Sequence, residues 1–292
     1  MDFELTREQA MFKDMAREFA LREVQPYVKE WDRRCQTPPE LFPKLGDLGL
    51  LGIKAPAEYG GLDLDWMTLA LVTEQLSYYD FSLGMAACGR TSLGILPILH
   101  NGNEEQKKKY LPGLIRGRLT HCFATVEPDA GSDATAIETT AVLDGDSWVL
   151  NGNKTWITNA NLADYALVVC QTDKTKGTKG LAVILVDWGT PGFTRAPIEN
   201  KLAFRHHDHG QLFFRDCRVP RTNQIGGFGM RAAFANVEHT RFGIACAAVG
   251  AIQSCLDLSV KYARERHQFK KPIGSFQLVQ EKIAEMAVDL ES

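Results

Sequence analysis

The sequence predicts an α+β multidomain fold: an all-α N-terminal domain, a middle antiparallel β domain of the sandwich or barrel type, and the first helices of a C-terminal helical bundle. Three observations predict it. Apolar residues recur at helical spacing before residue 120, runs of β-branched and aromatic residues follow at regular intervals, and the helical period returns after residue 226. The expected domains are residues 1–119, 120–225 and 226–292.

The N-terminal third has helical patterns on both sides of a glycine-rich passage. Between Thr6 and Lys29, Phe12 and Phe19 recur on one helical face, and Thr6 is a typical helix N-cap. Glycines between residues 46 and 62 interrupt this pattern. Further helices are expected at residues 66–79, 83–100 and 104–115.

The middle third has the composition of strands separated by Gly, Pro and charged turns. Asn151-Gly152 stands between the strand-like runs 147–150 and 154–157. Because Asn-Gly tolerates the positive φ of a tight turn, this pattern predicts a β-hairpin. Further strands are expected at residues 123–126, 165–172, 180–187 and 211–219.

The last third returns to helices. One long helix is expected from Val237 towards Arg266, and a second begins near Ser275. The second is still periodic at Leu290, and no glycine, proline or cap precedes Ser292. We therefore expect a chain that is truncated within a helix.

Composition limits the possible classes of function. The 33 basic and 36 acidic residues give a net charge of -3, which argues against nucleic-acid binding. The seven cysteines stand singly without a CxxC pair, which disfavours disulfides and structural zinc. No stretch approaches the roughly 18 apolar residues of a membrane span, and the N-terminus lacks a signal peptide pattern. We expect a protein of the bacterial cytoplasm, or of the mitochondrial matrix if a transit peptide has been removed.

Two patterns suggest other chemistry but lack its context. Residues 227–232 match the dinucleotide fingerprint G-x-G-x-x-A, but Pro220 and polar residues stand where a buried strand should precede it, so nicotinamide binding is not expected. His206, His207 and His209 carry metal-ligating side chains. Adjacent residues rarely converge on one ion, so we expect no metal and interpret them as a surface loop between strands.

Two segments have the chemistry of a cofactor site. Residues 123–133 form a strand that runs into a Pro-Asp-Ala-Gly-Ser-Asp turn, whose donors can hold an anion, although an ordinary turn has the same composition. Trp156 and Thr158 project from the same face of a strand, so an indole and a hydroxyl lie side by side, which suits a flat heteroaromatic ring. The alternative is a core Trp beside an exposed Thr.

Motifs in order along nearly the whole chain resemble the acyl-CoA dehydrogenase family. They are Glu58-Tyr59-Gly60-Gly61, Tyr110-Leu111-Pro112, Glu127-Pro128 with Gly131-Ser132-Asp133, Asn151-Gly152-x-Lys154-x-Trp156-Ile157-Thr158-Asn159, Arg218-Val219-Pro220, Thr240-Arg241, and Arg264-Glu265-Arg266 with Phe269, Phe276 and Gln277. The resemblance implies the domain order given above, with FAD between the middle and C-terminal domains.

The resemblance also implies which residues contact FAD. Trp156 and Thr158 would flank N5, where a donor is needed because N5 receives the hydride. Val126 departs from the usual Thr or Ser, which removes a hydroxyl contact to the flavin. Arg266 would face the pyrophosphate of FAD bound in a neighbouring subunit. The implied FAD contacts are Phe123, Thr125, Val126, Ser132, Trp156, Ile157, Thr158, Arg266, His267, Gln268, Phe269, Phe276 and Gln277.

By the same resemblance, an acyl-CoA thioester is bound by Ser132 and by the segment Glu238, His239, Thr240 and Arg241. Arg241 would support catalysis, or would pair with a carboxylate and hold its helix. Arg90 falls in the helix that lines the acyl pocket. Recognition of a carboxylate or other polar acyl tail is one interpretation of Arg90, and a structural salt bridge is the other.

The desaturation of an acyl-CoA demands a carboxylate base. In most relatives it lies late in the C-terminal bundle, which would place it beyond Ser292, and in a minority it stands where this chain has Thr240. Thr240 cannot abstract a carbon-bound proton, and Glu238 lies on a different helical azimuth. We therefore expect the base outside this chain.

Three functions fit these observations. The chain size favours an acyl-CoA dehydrogenase that passes electrons to an electron-transfer flavoprotein, an acyl-CoA oxidase is the second, and a catalytically silent acyl-CoA-binding or assembly subunit is the third. By the resemblance, FAD binding requires oligomerisation, and we expect a homotetramer, a dimer of dimers.

Overall fold

The computed structural model describes residues 4–292, which form two compact units. The helical unit comprises the chain up to Val28, Trp66–Met85 and Phe242–Ser292, and the sheet unit comprises Lys29–Asp65 and Ala86–Arg241. The N-terminal helices are divided between the two units. The all-α, β, α order along the chain agrees with the predicted fold class.

The helices in chain order are α1 (Arg7–Glu23), α2 (Val28–Arg34), α3 (Leu41–Asp47), α4 (Trp66–Tyr79), α5 (Phe81–Gly89), α6 (Leu96–Asn101), α7 (Glu104–Ile115), α8 (Met230–Phe234), α9 (Val237–Glu265) and α10 (Gln277–Glu291). The strands are β1 (His121–Ala124), β2 (Thr140–Asp144), β3 (Ser147–Thr158), β4 (Tyr165–Gln171), β5 (Leu181–Asp187), β6 (Phe193–Pro197), β7 (His209–Pro220), β8 (Gln224–Ile225), β9 (His267–Gln268) and β10 (Lys271–Pro272).

Capping and close backbone contact shape the helical unit. The Thr6 hydroxyl accepts a hydrogen bond from the Gln9 N–H, and the Gln9 side chain accepts one from the Thr6 N–H, so α1 begins with a capping box. Gly250 lets α9 approach α4 closely, since a Cβ at this position would lie 2.2 Å from the Glu74 carbonyl oxygen. A larger residue at this position would therefore force the two helices apart.

We expect Gly250→Ala to lower the free energy of unfolding by about 1 to 3 kcal/mol, the usual cost of overpacking. The matched control is Gly89→Ala at the end of α5, where φ is -59° and no atom lies within 4 Å of the added Cβ. That control should raise the free energy of unfolding by about 0.5 to 1 kcal/mol, because alanine has the better helix propensity. Urea unfolding measures both, and equal changes in the two variants would contradict the close contact.

A twisted sheet of eight strands forms the core of the sheet unit, in the order β6-β7-β3-β2-β4-β5-β8, with β1 beside β4. Most pairs are antiparallel, as predicted, but β1 and β2 both run parallel to β4. Every residue of β4 is buried, which explains its unbroken apolar run. In this sheet β1 pairs with β4, and β3 lies between β2 and β7.

The predicted hairpin at Asn151-Gly152 is wrong. Residues 147–158 form one continuous strand, and the hairpin lies earlier, where β2 and β3 join around Gly145 at a φ of 59°. Gly152 marks a shift in the register between β3 and β7. A Cβ on Gly152 would lie 2.5 Å from the Thr139 hydroxyl, so the glycine permits a close approach rather than a turn.

The helix predicted at residues 83–100 contains a π-helical segment, Arg90–Ile95, between α5 and α6. Such segments are rare and occur often at functional sites. Apolar spacing alone does not reveal one, because the widened turn adds a residue without changing the composition.

From the sequence we expected no segment that could cross a membrane. Two helical segments are nevertheless long and apolar enough to do so. They are Phe81–Asn101, with mean hydropathy 1.3, and Met230–Glu265, with mean hydropathy 1.5. In the first, 78% of the apolar window is buried inside the protein, as in a core helix; in the second, 17% is buried. Two such helices are weak evidence for a membrane, because length and composition alone define them.

Candidate functional site

The end of β3 presents an indole to solvent. Trp156 is 57% exposed, whereas its neighbours Thr155 and Ile157 are buried. The register between β3 and β7 shifts between Lys154 and Ile157, and Trp156 has a φ of 56°, so a bulge turns the indole outward. Thr158 is half-buried. This exposure agrees with the ring-binding interpretation of the tripeptide rather than with a core tryptophan.

A buried ion pair stands beside this strand end. The Lys154 side chain is 0% exposed and that of Glu127 is 6% exposed, and Lys154 Nζ lies 2.8 Å from Glu127 Oε1. The two carboxylate oxygens also accept hydrogen bonds from the Glu138 and Thr139 N–H groups, at 2.7 and 2.9 Å. Both charged residues belong to quoted motifs, but sequence reasoning gave them no role, because a Lys and a Glu 27 positions apart carry no signal of pairing.

The same lysine fixes the strand that was predicted to contact the flavin. Lys154 Nζ donates to the Thr125 carbonyl at 3.0 Å, and the Thr155 N–H donates to the Val126 carbonyl at 2.9 Å. Within residues 4–292 the Val126 N–H has no hydrogen-bond partner, although Val126 is half-buried. The Phe123 side chain is also half-buried. An available donor therefore lies next to the exposed indole segment.

Ser132 and Ile157 differ in what they can contact. Ser132 is exposed in the turn after β1, where the following Asp133 accepts a hydrogen bond from the Thr135 N–H at 2.9 Å. Its hydroxyl is accessible to a ligand. The Ile157 side chain is 2% exposed and packs in the core of the sheet, so only its backbone can contact a bound group.

The histidines do not form a surface loop, which corrects the sequence interpretation. His206 and His207 are buried, at 6% and 9% exposure. His206 Nδ1 lies 2.8 Å from the Thr37 hydroxyl, a partner far away in the sequence. The His207 and His209 rings meet edge to face, with centroids 5.2 Å apart. In the described part of the chain no three His, Cys, Asp or Glu side chains group as metal ligands.

Arg90 is also buried, at 2% exposure, and the salt bridge expected for it is not observed among the described residues, whereas recognition of a polar acyl tail stays a prediction. Its guanidinium donates to the Leu119 carbonyl and lies over the Phe42 ring, 4.5 Å from the centroid. Among residues 4–292 it has no carboxylate partner, so it forms no salt bridge. Arg90 links the π-helical segment to the start of β1, because interior carbonyl and ring contacts replace the expected anion.

We expect the neighbouring His121 to make stability depend on pH. Burial, with a smaller contribution from Arg90, lowers the pKa of His121 to about 3. An unfolded histidine binds a proton near pH 6.5, so the unfolded state binds more protons below that pH and stability falls as the pH falls. Between pH 7.5 and 5.5 the loss from this residue should be about 1.4 kcal/mol.

Urea unfolding of wild type and His121→Asn at both pH values measures this loss. The variant should retain the part caused by the other histidines whose pKa burial lowers, which are His207, with a pKa of about 3, His209 and His239. Identical pH dependence in the two proteins would contradict the buried neutral state of His121.

The structure brings the predicted substrate segment to the π-helical segment. The Thr240 hydroxyl donates to the Ser92 hydroxyl at 3.0 Å, and Ser92 donates to the Cys88 carbonyl at 3.1 Å. Glu238 and Arg241 are exposed, and Arg241 forms no ion pair within the described residues. The structural alternative proposed for Arg241, a pair with a carboxylate, is therefore not observed.

Family comparisons match the chain along its length. The acyl-CoA dehydrogenase N-terminal domain matches residues 6–118, the middle domain matches residues 122–217 and the C-terminal domain matches residues 227–292. The chain belongs to the acyl-CoA dehydrogenase family. Members of the family are FAD flavoproteins, and the chain is accordingly an oxidoreductase acting on acyl-CoA.

Relatives cover the chain almost completely. A probable acyl-CoA dehydrogenase YngJ of Bacillus subtilis (strain 168) is 38% identical over 100% of this chain and 77% of its own length. The mitochondrial short-chain specific acyl-CoA dehydrogenase of Rattus norvegicus is 39% identical over 99% of this chain and 71% of its own length. A chain solved in work on the electron transferring flavoprotein of Acidaminococcus fermentans has a TM-score of 0.96 and 40% identity, over 100% of this chain and 77% of that chain.

The residues present fit the FAD of this family. A flat isoalloxazine ring needs an apolar surface and hydrogen-bond donors at its edge. The exposed Trp156 indole supplies the surface, and the available Val126 N–H and the Thr158 hydroxyl supply donors. The bulge at Trp156 turns a large apolar ring to the surface, and bulges of this kind often occur beside active sites.

The remaining predicted FAD-contact residues lie in the helical unit, around β9, β10 and the start of α10. Phe269 is 86% exposed, its ring lies 6.0 Å from that of the half-buried Phe276, and Lys271 Nζ lies 4.4 Å from the Phe276 centroid. The other members of this group are all exposed: Arg266, His267, Gln268 and Gln277. Their predicted contact with FAD of a neighbouring subunit stays a prediction.

Proposed function

We propose that the protein is an FAD-dependent acyl-CoA dehydrogenase that converts an acyl-CoA thioester to the 2,3-enoyl-CoA. The observation that carries the proposal is the surface at the end of β3, where an exposed indole adjoins a hydroxyl and the Val126 N–H, which has no hydrogen-bond partner within residues 4–292. When bound, FAD supplies the acceptor for the hydride that leaves the β carbon.

Each residue of this surface has a separate role. Trp156 packs against the flat ring and shields it from water. Thr158 donates its hydroxyl proton at the edge of the ring where negative charge develops, and the Val126 N–H donates at a second position. Ser132 donates to the phosphates or the pantetheine through its exposed hydroxyl. These donors are held in place before the substrate arrives, because the buried Lys154–Glu127 pair fixes the backbone between them.

The reaction also needs an acceptor for the α proton. Glu238 is exposed at the start of α9, and we assign it no catalytic role. We propose that a carboxylate outside this chain removes the proton. Arg241, exposed and without an ion-pair partner among the described residues, is available to the thioester or its phosphates.

We propose an electron-transfer flavoprotein as the electron acceptor and a homotetramer as the working form. The similarity to a chain solved in work on such a flavoprotein supports the acceptor, and short-chain specific relatives support a short acyl chain. Because Arg90 is buried against a carbonyl and a ring, we do not propose that it recognises a dicarboxylic acyl chain.

The test is an anaerobic titration of the protein purified from its natural source with butyryl-CoA, glutaryl-CoA and octanoyl-CoA. We expect a yellow protein whose flavin band is bleached by butyryl-CoA at the lowest concentration. Glu238→Gln should be bleached at the wild-type rate. A protein that neither carries nor binds FAD would support the silent subunit, and rapid reoxidation of bleached flavin by oxygen would support the oxidase.

A further inference from the structure

We infer that Lys201 sets the tautomer of His209 and thereby keeps the Thr158 hydroxyl proton free to donate to a bound ligand. The inference rests on the proposed role of Thr158 at FAD. It assigns a function to the histidine at position 209, which the sequence analysis interpreted as part of a surface loop, and makes Lys201 and His209 positioning residues for the proposed reaction.

His209 connects Thr158 to Lys201. The pairing of β3 with β7 places His209 directly opposite Thr158, and His209 Nε2 lies 3.4 Å from the Thr158 hydroxyl oxygen. On the other side of the ring, His209 Nδ1 lies 3.0 Å from Lys201 Nζ. One imidazole therefore contacts an ammonium at one nitrogen and the candidate ring donor at the other.

The surroundings of Lys201 determine which nitrogen of His209 carries the proton. An ammonium has three N–H donors and no acceptor. Lys201 Nζ has three acceptors around it: the Phe204 carbonyl at 2.7 Å, the His207 carbonyl and His209 Nδ1. All three Nζ–H donors are used when His209 Nδ1 accepts one of them, and this arrangement places the proton of the neutral ring on Nε2. Burial lowers the pKa of His209, which keeps the ring neutral at pH 7.

The opposite tautomer has an alternative partner in the same site. His209 Nδ1 lies 3.0 Å from the His207 carbonyl, so a proton on Nδ1 could be donated there if Lys201 were absent. Nε2 would then accept the single proton of the Thr158 hydroxyl. With Lys201 present, Nε2–H donates to the Thr158 oxygen, and the hydroxyl proton points elsewhere, towards a ligand packed on Trp156.

Histidine side-chain ¹⁵N NMR reads the tautomer directly, with His209→Gln used to assign the His209 signals. At pH 7.5 we expect Nε2–H in the wild type and Nδ1–H in Lys201→Met. The matched control is Lys176→Met, which removes an exposed lysine paired with Asp173 in the same unit and should leave the His209 signals unchanged. Nδ1–H or a doubly protonated ring in the wild type, or no change in Lys201→Met, would overturn the inference.

The flavin of the reconstituted protein gives the second readout. Lys201→Met and His209→Leu should shift the equilibrium for flavin reduction about tenfold towards the oxidised form, about 30 mV for a two-electron couple. The His209→Gln variant should keep the wild-type equilibrium for flavin reduction, because the glutamine NH₂ group replaces the Nε2–H donor. A switched tautomer with an unchanged potential would overturn the inference and leave the proposed function standing. A wild type that binds no FAD would overturn the proposed function, whereas the NMR result would still decide the tautomer.

Discussion

We expect Lys154→Met to lower the free energy of unfolding by about 3 to 5 kcal/mol, the largest single effect in the sheet unit. The substitution leaves the Glu127 carboxylate, 6% exposed, without its 2.8 Å partner. Backbone N–H donors still hold its oxygens but do not neutralise the charge. Urea unfolding at pH 7 measures the loss, and Glu127→Gln combined with Lys154→Met should recover a large part of it.

Lys109→Met is the matched control, because Lys109 also lies 2.8 Å from a carboxylate, that of Asp187, but both side chains are exposed. Its expected cost is about 0 to 1 kcal/mol. Similar losses in the free energy of unfolding for the two lysine variants would show that burial does not determine how much the ion pair contributes to stability.

The buried pair also predicts how the protein responds to acid. Burial pushes the pKa of Glu127 up, but Lys154 and the hydrogen bonds from Thr139 and the Glu138 N–H outweigh it, so the pKa lies below the ordinary 4.5. The stability that the ionised carboxylate provides is therefore complete above about pH 4.5 and is lost as the pH falls through the folded-state pKa. Glu127→Gln should flatten the decline of stability in this range, measured by urea unfolding between pH 5 and 3. An unchanged slope in the variant would contradict this account.

The second large effect is expected at Trp156. Trp156→Ala should weaken FAD binding about 10 to 100-fold, which corresponds to about 1.4 to 2.7 kcal/mol, because the exposed indole is the largest apolar contact offered to the ring. The free energy of unfolding should change little, since the indole is 57% exposed in the protein without ligand. Flavin fluorescence on titration with FAD gives the affinity, and Trp156→Phe should retain most of it.

Trp188→Ala is the control for the second prediction. Trp188 is also an exposed tryptophan of the sheet unit, at 43%, but its ring is covered by the Arg195 guanidinium 3.7 Å away. Its removal should leave the affinity for FAD unchanged. Equal loss of affinity in both variants would place the flavin elsewhere or show a general loss of structure.

Local sequence patterns predicted the elements that local interactions form. The helices at residues 66–79 and 104–115 have the predicted bounds, because the signals that define them are local. Apolar spacing defines both helices, and the Asn103 cap directly precedes the second. The hairpin prediction at Asn151-Gly152 failed because the outcome there depends on non-local contacts. Whether Asn-Gly turns the chain depends on which strands pair beside it, and here β2 and β7 flank one long strand on both sides.

The candidate site shows the same division. The placement of Trp156 and Thr158 on one strand followed from local sequence, although the bulge between Lys154 and Ile157, and not simple alternation, turns the indole outward. The burial of Arg90 and His206 did not follow from local sequence, because their partners come from elsewhere: Leu119 for the arginine, and Thr37, 169 positions away, for the histidine. A charged or polar residue is expected at the surface unless a distant partner satisfies it.

The amino-acid sequence by itself determined the order of helices and strands, the acyl-CoA dehydrogenase family and the strand segment that carries Trp156 and Thr158. Only the tertiary structure decided which polar groups meet: Lys154 with Glu127, Thr240 with Ser92, and Lys201 with His209 and Thr158. The physical reason is that periodicity records only which side of an element is buried. The protonation state and the donor geometry of a site depend on the few ångströms between groups that the fold brings together.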